Sequence, residues 1–335
     1  MAAMPRNTFA RSSRHAKPAI GLALAVLLPV AARCQITPAQ ANQLREGIND
    51  RIEALTVLGG DYVLGGGSFR STGNGPSDLT ADVSKFGGSG EFSDLRQLGD
   101  ENIAWRPRLQ GNMGTVDWKN EFKVPLLAGD VSKTKAFGIQ FGGGARFWFT
   151  HEFSVAPTIM GMYGHTTNEY TAKSAFMVAN LAKAQQVGLI DWSTDTWTVR
   201  PSVNFQYEYT WVRTIIKLTS DVTYFHTGSL KSSNANIDVG GDSEVVSNKL
   251  DIDVPLGRMV FGHELRTGGY FERTNLYGNV RDGLNTDHMN EVHGRLVLDY
   301  LNQLWLTQWI GLGGSYYWGD NFTGWSFGVD WYLVF

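Results

Sequence analysis

The end of the chain constrains its fold more than any other segment. Trp325, Phe327, Val329, Trp331, Leu333 and Phe335 are large and apolar, with Ser326, Gly328, Asp330, Tyr332 and Val334 between them. A period of two puts the two sets on opposite faces of an extended strand. The pattern recurs upstream. Phe137, Ile139, Phe141, Ala145, Phe147 and Phe149 alternate with Gly138, Gln140, Gly142, Gly144 and Arg146. Trp197, Val199, Pro201, Val203, Phe205, Tyr207 and Tyr209 alternate with Thr198, Arg200, Ser202, Asn204, Gln206 and Glu208. Val116, Trp118, Phe122 and Val124 alternate with Asp117, Lys119, Glu121 and Lys123.

No stretch after residue 34 is long and apolar enough for a membrane helix, yet 12% of the residues are aromatic and 39 are glycine. Alternating strands with aromatic ends and no apolar run are what a transmembrane barrel needs, because its lipid face takes every second residue. The fold expected is all-β: a transmembrane antiparallel β-barrel of about 12 strands.

Strands are expected at roughly 55–69, 101–112, 115–126, 136–149, 152–165, 195–209, 211–225, 243–254, 257–272, 290–302, 305–318 and 323–335. The connections Met113–Gly114, Thr150–His151, Thr210, Pro255–Leu256 and Gln303–Leu304 read as tight. Those at 70–100, 127–135, 166–194, 226–242 and 273–289 read as long, and only Gly319–Phe322 is short on that side. Barrels have short periplasmic turns and longer outer loops, so the C-terminus is expected in the periplasm.

The opening residues read as a secretory signal peptide over 1–34. Arg6, Arg11, Arg14 and Lys17 precede an apolar run, Ala19–Val30, and small residues follow. Cleavage after Ala32 or after Cys34 both fit, and a retained anchor and a lipid-modified Cys34 are the alternatives. Cys34 is the only cysteine, so an internal disulfide is excluded. Removing the five basic residues of 1–34 leaves 24 basic against 32 acidic residues. That balance argues against a nucleic-acid partner. Nothing in the sequence calls for a cofactor or metal.

Residues 35–54 read as a helix, and the barrel as 55–335. Thr37-Pro38-Ala39-Gln40 forms a capping box with proline at the first helical position. Leu44, Ile48, Ile52 and Leu55 follow at helical spacing. Such a helix would be close to the height of a barrel. A second helix is expected over Ala172–Val187, with Gly188 as its stop.

Gly328, Trp331, Leu333 and Phe335 resemble the C-terminal signal that the outer-membrane assembly machinery recognises in barrel precursors. The whole layout, a helix of barrel height followed by twelve strands, resembles the translocator domain of autotransporters. In that family the helix lies in the lumen and a passenger domain precedes it. Here the helix follows the signal peptide directly, so the resemblance implies a solitary barrel in the outer membrane. It further implies a monomer, with membrane lipid and the assembly machinery as partners. Family members that release a passenger cut at an Asn-Asn pair in the helix, but Asn42 and Asn49 stand alone.

The charges expected in the lumen are Arg106, Arg108, Lys119, Arg146, Arg200, Glu208, Arg213, Lys217, Asp221, Glu264, Arg266, Glu291, Arg295 and Asp299. Mixed signs on the same strands favour a paired network over a selective ring of charge. A small-solute channel is the second reading of function and an outer-membrane hydrolase the third. His226 with Ser229, His263, and Asp282 with Asp287 and His288 are the candidates for hydrolysis, and Asp238, Asp242 and Glu244 for a cation. None has the nucleophile-and-base pairing or ligand spacing such chemistry needs, so no catalytic residue is assigned.

Overall fold

A computed structural model of the chain describes residues 64–71, 77–92, 96–97, 103–122, 127–237, 239–284, 286–304 and 307–334. The signal peptide expected at 1–34, the helix expected at 35–54 and Phe335 lie outside the described residues.

The strands are β1 (Leu64–Ser71), β2 (Ser77–Glu91), a two-residue β3 (Arg96–Gln97), β4 (Ala104–Phe122), β5 (Val131–Trp148), β6 (Phe153–Thr171) and β7 (Ser193–Trp211). They continue as β8 (Thr214–Ser232), β9 (Gly240–Val260), β10 (His263–Gly278), β11 (His288–Leu304), β12 (Thr307–Gly319) and β13 (Phe322–Val334). Helix α1 (Ala175–Gln186) lies between β6 and β7, and α2 (Asn279–Leu284) between β10 and β11. Strands β1, β2 and β4–β13 form a closed antiparallel barrel of twelve, with β3 paired only to β4. Closure runs through β1 on β13, from Leu64↔Val329 to Ser71↔Phe322. A closed barrel leaves no sheet edge, which is what an all-β chain in lipid requires.

Two strand boundaries differ from the sequence reading. β2 lies in the segment 70–100 that the sequence predicts as a loop, and the predicted break at Met113–Gly114 lies inside β4. The count of twelve survives because one strand was missed and another was split. Two turns also move, from Thr210 to Val212–Arg213 and from Pro255–Leu256 to Phe261–Gly262. Pro255 is accommodated beside a register shift at Leu265/Arg266. Phe149–Glu152 is a third short turn at the same end. The longer connections, those after β4, β6, β8 and β10, join the strands at the opposite end, which is therefore the outer one.

The outward face carries an apolar band. Phe141, Ile159, Phe205, Leu218, Ile252, Leu296, Leu312 and Phe327 are all exposed on it. Aromatic residues sit at the band's limits: Phe149 and Trp211 by the short turns, Tyr163, Tyr224, Tyr316 and Trp325 toward the outer end. That is the girdle pattern of a membrane barrel.

The inner face changes character along its height. In its outer half the inward residues are buried and many of them are apolar. Phe69, Ala81, Val83, Val116, Trp118, Phe225, Val245, Leu276, Met289, Tyr317 and Phe322 pack as one cluster with Val280 and Leu284 of α2. Val280 is 0% exposed and Leu284 5%, so α2 is tucked into the barrel mouth. Phe69 stacks on Phe322 at 5.4 Å and meets Tyr317 at 5.3 Å. Gly324 lies beneath the Phe69 ring, where a Cβ would come within 2.3 Å of it. Buried threonines complete the layer at β6–β8, with Thr198 and Thr227 joined at 2.9 Å. Each large apolar side chain removed from water here contributes about 1.5–3 kcal/mol. The mouth is sealed by a small hydrophobic core.

Candidate functional site

Beneath that seal the lumen holds a cavity of about 850 Å³. Its lining runs from Phe69, Val83 and Tyr317 of the apolar layer down to His151 and Glu152 in the β5–β6 turn. The walls between are polar and charged. β2, β4, β5 and β7 contribute Lys85, Arg106, Arg108, Arg146 and Arg200. β8–β13 contribute Asp221, Asp251, Asp253, Glu272, Glu291, Asp299 and Asp330, together with Lys217, Lys249, Arg266 and Arg295. One side of the chamber leans basic and the other acidic.

The charges form pairs that stitch strands together. Arg146 is bound to Glu91 at 2.7 Å and donates to Ser154 at 2.9 Å and Gln206 at 3.1 Å. The Arg146–Glu91 pair reaches from β5 to β2 past β4. Arg295 grips Asp251 at 2.8 and 3.0 Å, reaching from β11 to β9 past β10. Lys217 meets Glu208 at 3.1 Å and Lys249 meets Glu272 at 3.4 Å. Arg266 donates to Asp253 and reaches Glu264 at 3.4 Å. In a half-dry lumen each ion needs such a partner.

Most of the charges expected in the lumen line this chamber: Arg106, Arg108, Arg146, Arg200, Glu208, Lys217, Asp221, Arg266, Glu291, Arg295 and Asp299. Glu264 lies at its lower rim. Arg213 is on the β7–β8 turn and binds Glu264 from there. Lys119 is placed outside the lumen, paired with Glu121 at 3.6 Å on the outward face of β4. Its inward neighbours are Trp118 and Asn120, because the apolar set of β4 faces in at this height. Sequence reasoning missed Glu91, which lies on the unrecognised β2. It also missed Asp251 and Asp253, although their alternation with Leu250, Ile252 and Val254 carries the signal.

One lumenal cluster has the side-chain types of a hydrolase. His293 Nδ1 lies 2.9 Å from Ser315 Oγ, and its Nε2 lies 3.3 Å from Asp330 Oδ2. Its hydrogen bonds run as follows. Ser315 donates to Glu291 at 2.5 Å, and Tyr270 donates to the same oxygen at 2.7 Å. A carboxylate accepts, so the hydrogen bond between His293 and Ser315 runs from the imidazole to the hydroxyl. A general base must instead accept the nucleophile's proton. The cluster knits β10, β11, β12 and β13. Elsewhere, Ser229 exchanges hydrogen bonds with Val239 rather than approaching His226. His226 and Tyr224 bind Asp242, and Arg281 binds Asp282. No metal-binding group of His, Cys, Asp and Glu occurs among the described residues.

Above the seal, the outer loops pack on one another. Leu127, Met177, Ala184 and Ile190 form a core between the β4–β5 loop and α1. Asp130, 0% exposed, is the anchor. It accepts from the backbone N–H of Lys173 at 2.5 Å and of Ser174 at 2.7 Å, and from the hydroxyls of Ser174 and Tyr170. Ser174 in turn caps α1 through the Met177 N–H. Burial pushes the Asp130 carboxyl up, but these hydrogen bonds outweigh it and hold it below the ordinary carboxylate value. A depressed carboxyl stabilises the loop above the unfolded-state value of about 4, and that contribution is lost as pH falls through the folded one. Asp130→Ala is expected to weaken the loop by about 3 kcal/mol, several hydrogen bonds being lost at once. Tryptic cleavage at Lys173 and Lys183 at neutral pH, faster in the variant, checks the first; pepsin cleavage of the parent's loop, rising as pH falls below about 4, checks the second.

A family model described as the solitary outer membrane autotransporter beta-barrel domain matches residues 94–329. The chain belongs to this family. Solitary autotransporter barrels are outer-membrane proteins, and this one is a translocator-type barrel of that membrane. Among solved structures it is similar to the transport unit of the autotransporter AIDA-I from Escherichia coli, at 10% identity and a TM-score of 0.54, covering 85% of this chain and 96% of that one. It is also similar to the β-domain of the Bordetella autotransporter BrkA, at 13% identity and a TM-score of 0.48, covering 80% and 97%. A third is the translocator domain of NalP from Neisseria meningitidis, at 10% identity and a TM-score of 0.47, covering 87% and 96%. No curated protein sequence matches the chain.

Proposed function

We propose that this translocator-type barrel is exported by a cleaved signal peptide over 1–34 and carries the segment 35–54 as a helix inside its lumen. The observation that supports this is the chamber: polar, about 850 Å³, closed by an apolar layer at the outer end and lined down to turn residues at the periplasmic end. A helix entering from the periplasmic side would meet charged walls of both signs. Its own Arg45, Glu46, Asp50, Arg51 and Glu53 are mixed in the same way. Gly328, Trp331, Leu333 and Phe335 serve as the assembly signal, and the barrel acts as a monomer without catalytic activity. The solute-channel reading is weaker, because Val280, Leu284 and Trp118 stand across the outer path.

The test uses thiol access. In a Cys34→Ser background, Ser247→Cys places a single thiol in the chamber wall. A small charged methanethiosulfonate should react slowly with the full protein and fast after deletion of 35–54. Equal rates in the two proteins would put the segment outside the lumen and overturn the reading.

A further inference from the structure

Two of the periplasmic turns hold bulky apolar residues where the backbone disfavours them. Val212 has φ 61° and is 85% exposed; Phe261 has φ 52° and is 91% exposed. Each opens a two-residue turn between long strands, a position that suits Gly or Asn. A branched or aromatic side chain there strains the backbone. Exposure adds a second penalty, and Trp211 and Met259 beside them are exposed too. Such a combination is explained if the tips are not in water.

The two tips are also tied into one body. Arg213, next to Val212, donates to Glu264, next to His263 at the start of β10. Arg266 donates to the backbone carbonyl of Arg213 at 3.2 Å and to Asp253 of β9. The β7–β8 and β9–β10 hairpins therefore present Val212 and Phe261 together. Moreover, the apolar outward face runs down to both tips, broken on β9 only by Gly257 and Arg258. On β7 it passes through Phe205, Tyr207, Tyr209 and Trp211, and on β9 through Leu250, Ile252, Val254 and Leu256.

We infer that these two turns form a single foot that inserts into the periplasmic leaflet of the outer membrane, at the boundary between headgroups and acyl chains. Its partner is phospholipid. The foot continues the lipid-facing band beyond the strand ends. Arg213 and the exposed Arg258 stand beside the apolar tips, and cations beside aromatic side chains are the composition of a membrane–water interface. The strained backbone is then held by what the side chains gain in lipid.

The experiment is a depth measurement on the full chain with Cys34→Ser. Phe261→Cys and, separately, Val212→Cys are labelled with an environment-sensitive nitrobenzoxadiazole dye. Ala128→Cys in an outer loop is the aqueous control. The proteins are placed in vesicles of phosphatidylethanolamine and phosphatidylglycerol, and heat-modifiable gel mobility confirms that each is folded. Blue-shifted emission at both tips, quenched by a nitroxide at acyl carbon 5 and untouched by aqueous iodide, is expected. Emission like the Ala128→Cys control, with iodide quenching, overturns the proposal. So does a blue shift that appears only when a periplasmic extract is added, which would make the partner a protein. Burial of one tip alone overturns the single foot.

Discussion

Arg146→Met is expected to lower the stability of the folded barrel by about 3–5 kcal/mol, the range for removing one partner of a buried ion pair. Arg146 and Glu91 are both nearly inaccessible, and the guanidinium satisfies Glu91, Ser154 and Gln206 together. Without it the Glu91 carboxylate loses its 2.7 Å partner and stays in a half-dry wall. The effect is asymmetric. The double variant Arg146→Met with Glu91→Leu should recover most of the loss, because two apolar groups of similar bulk need no partner. Midpoints of urea unfolding in detergent, followed by the loss of the compact gel band, measure both. A double variant as weak as the single one would show that shape rather than charge holds β2 to β5.

The second large effect concerns conduction. Deleting 35–54 alone should leave the protein closed in planar bilayers, since the apolar layer spans the outer mouth independently of that segment. Adding Val280→Asp and Leu284→Asp should convert the closed baseline to resolvable open steps. Both side chains are buried in the seal, and a carboxylate cannot remain there without a partner. α2 lies in a connection between β10 and β11, so its expulsion leaves the twelve-strand ladder intact. Conduction by the truncated protein with α2 unchanged would show that the seal is permeable. If the doubly substituted, truncated protein stays closed, something other than α2 blocks the mouth.

Strand identity was legible in the chain because period-two alternation survives any barrel. The side that faces lipid was less so. Val116 and Trp118 alternate as cleanly as Phe137 and Ile139, yet the first pair points inward and the second outward. Alternation reports two faces and is blind to which is dry, and here the dry face changes with height. β2 was lost for a different reason. Gly87, Gly88 and Gly90 with their serine neighbours read as loop, whereas the sheet accepts them because β4 approaches closely: a Cβ at Gly87 would come within 2.1 Å of Asn112. Among the charges, parity placed Arg146, Arg200, Arg266 and Arg295 on the lumenal face. The partners of Arg146 and Arg295 were out of reach, because Glu91 and Asp251 lie two strands away around the wall, a distance that sequence does not carry. α1 was readable from its own composition. The role of Asp130 was not, since its acceptor geometry spans 44 residues.

Barrel interiors in the outer membrane are polar as a rule, so the apolar layer in this mouth has a thermal consequence. Opening it exposes hydrocarbon to water and raises the heat capacity, as unfolding a soluble core does. Its contribution therefore fades as temperature falls. The hydrogen-bonded hoop around it has no such dependence on apolar hydration. In the cold, the first part of this barrel to yield is its plug and not its wall.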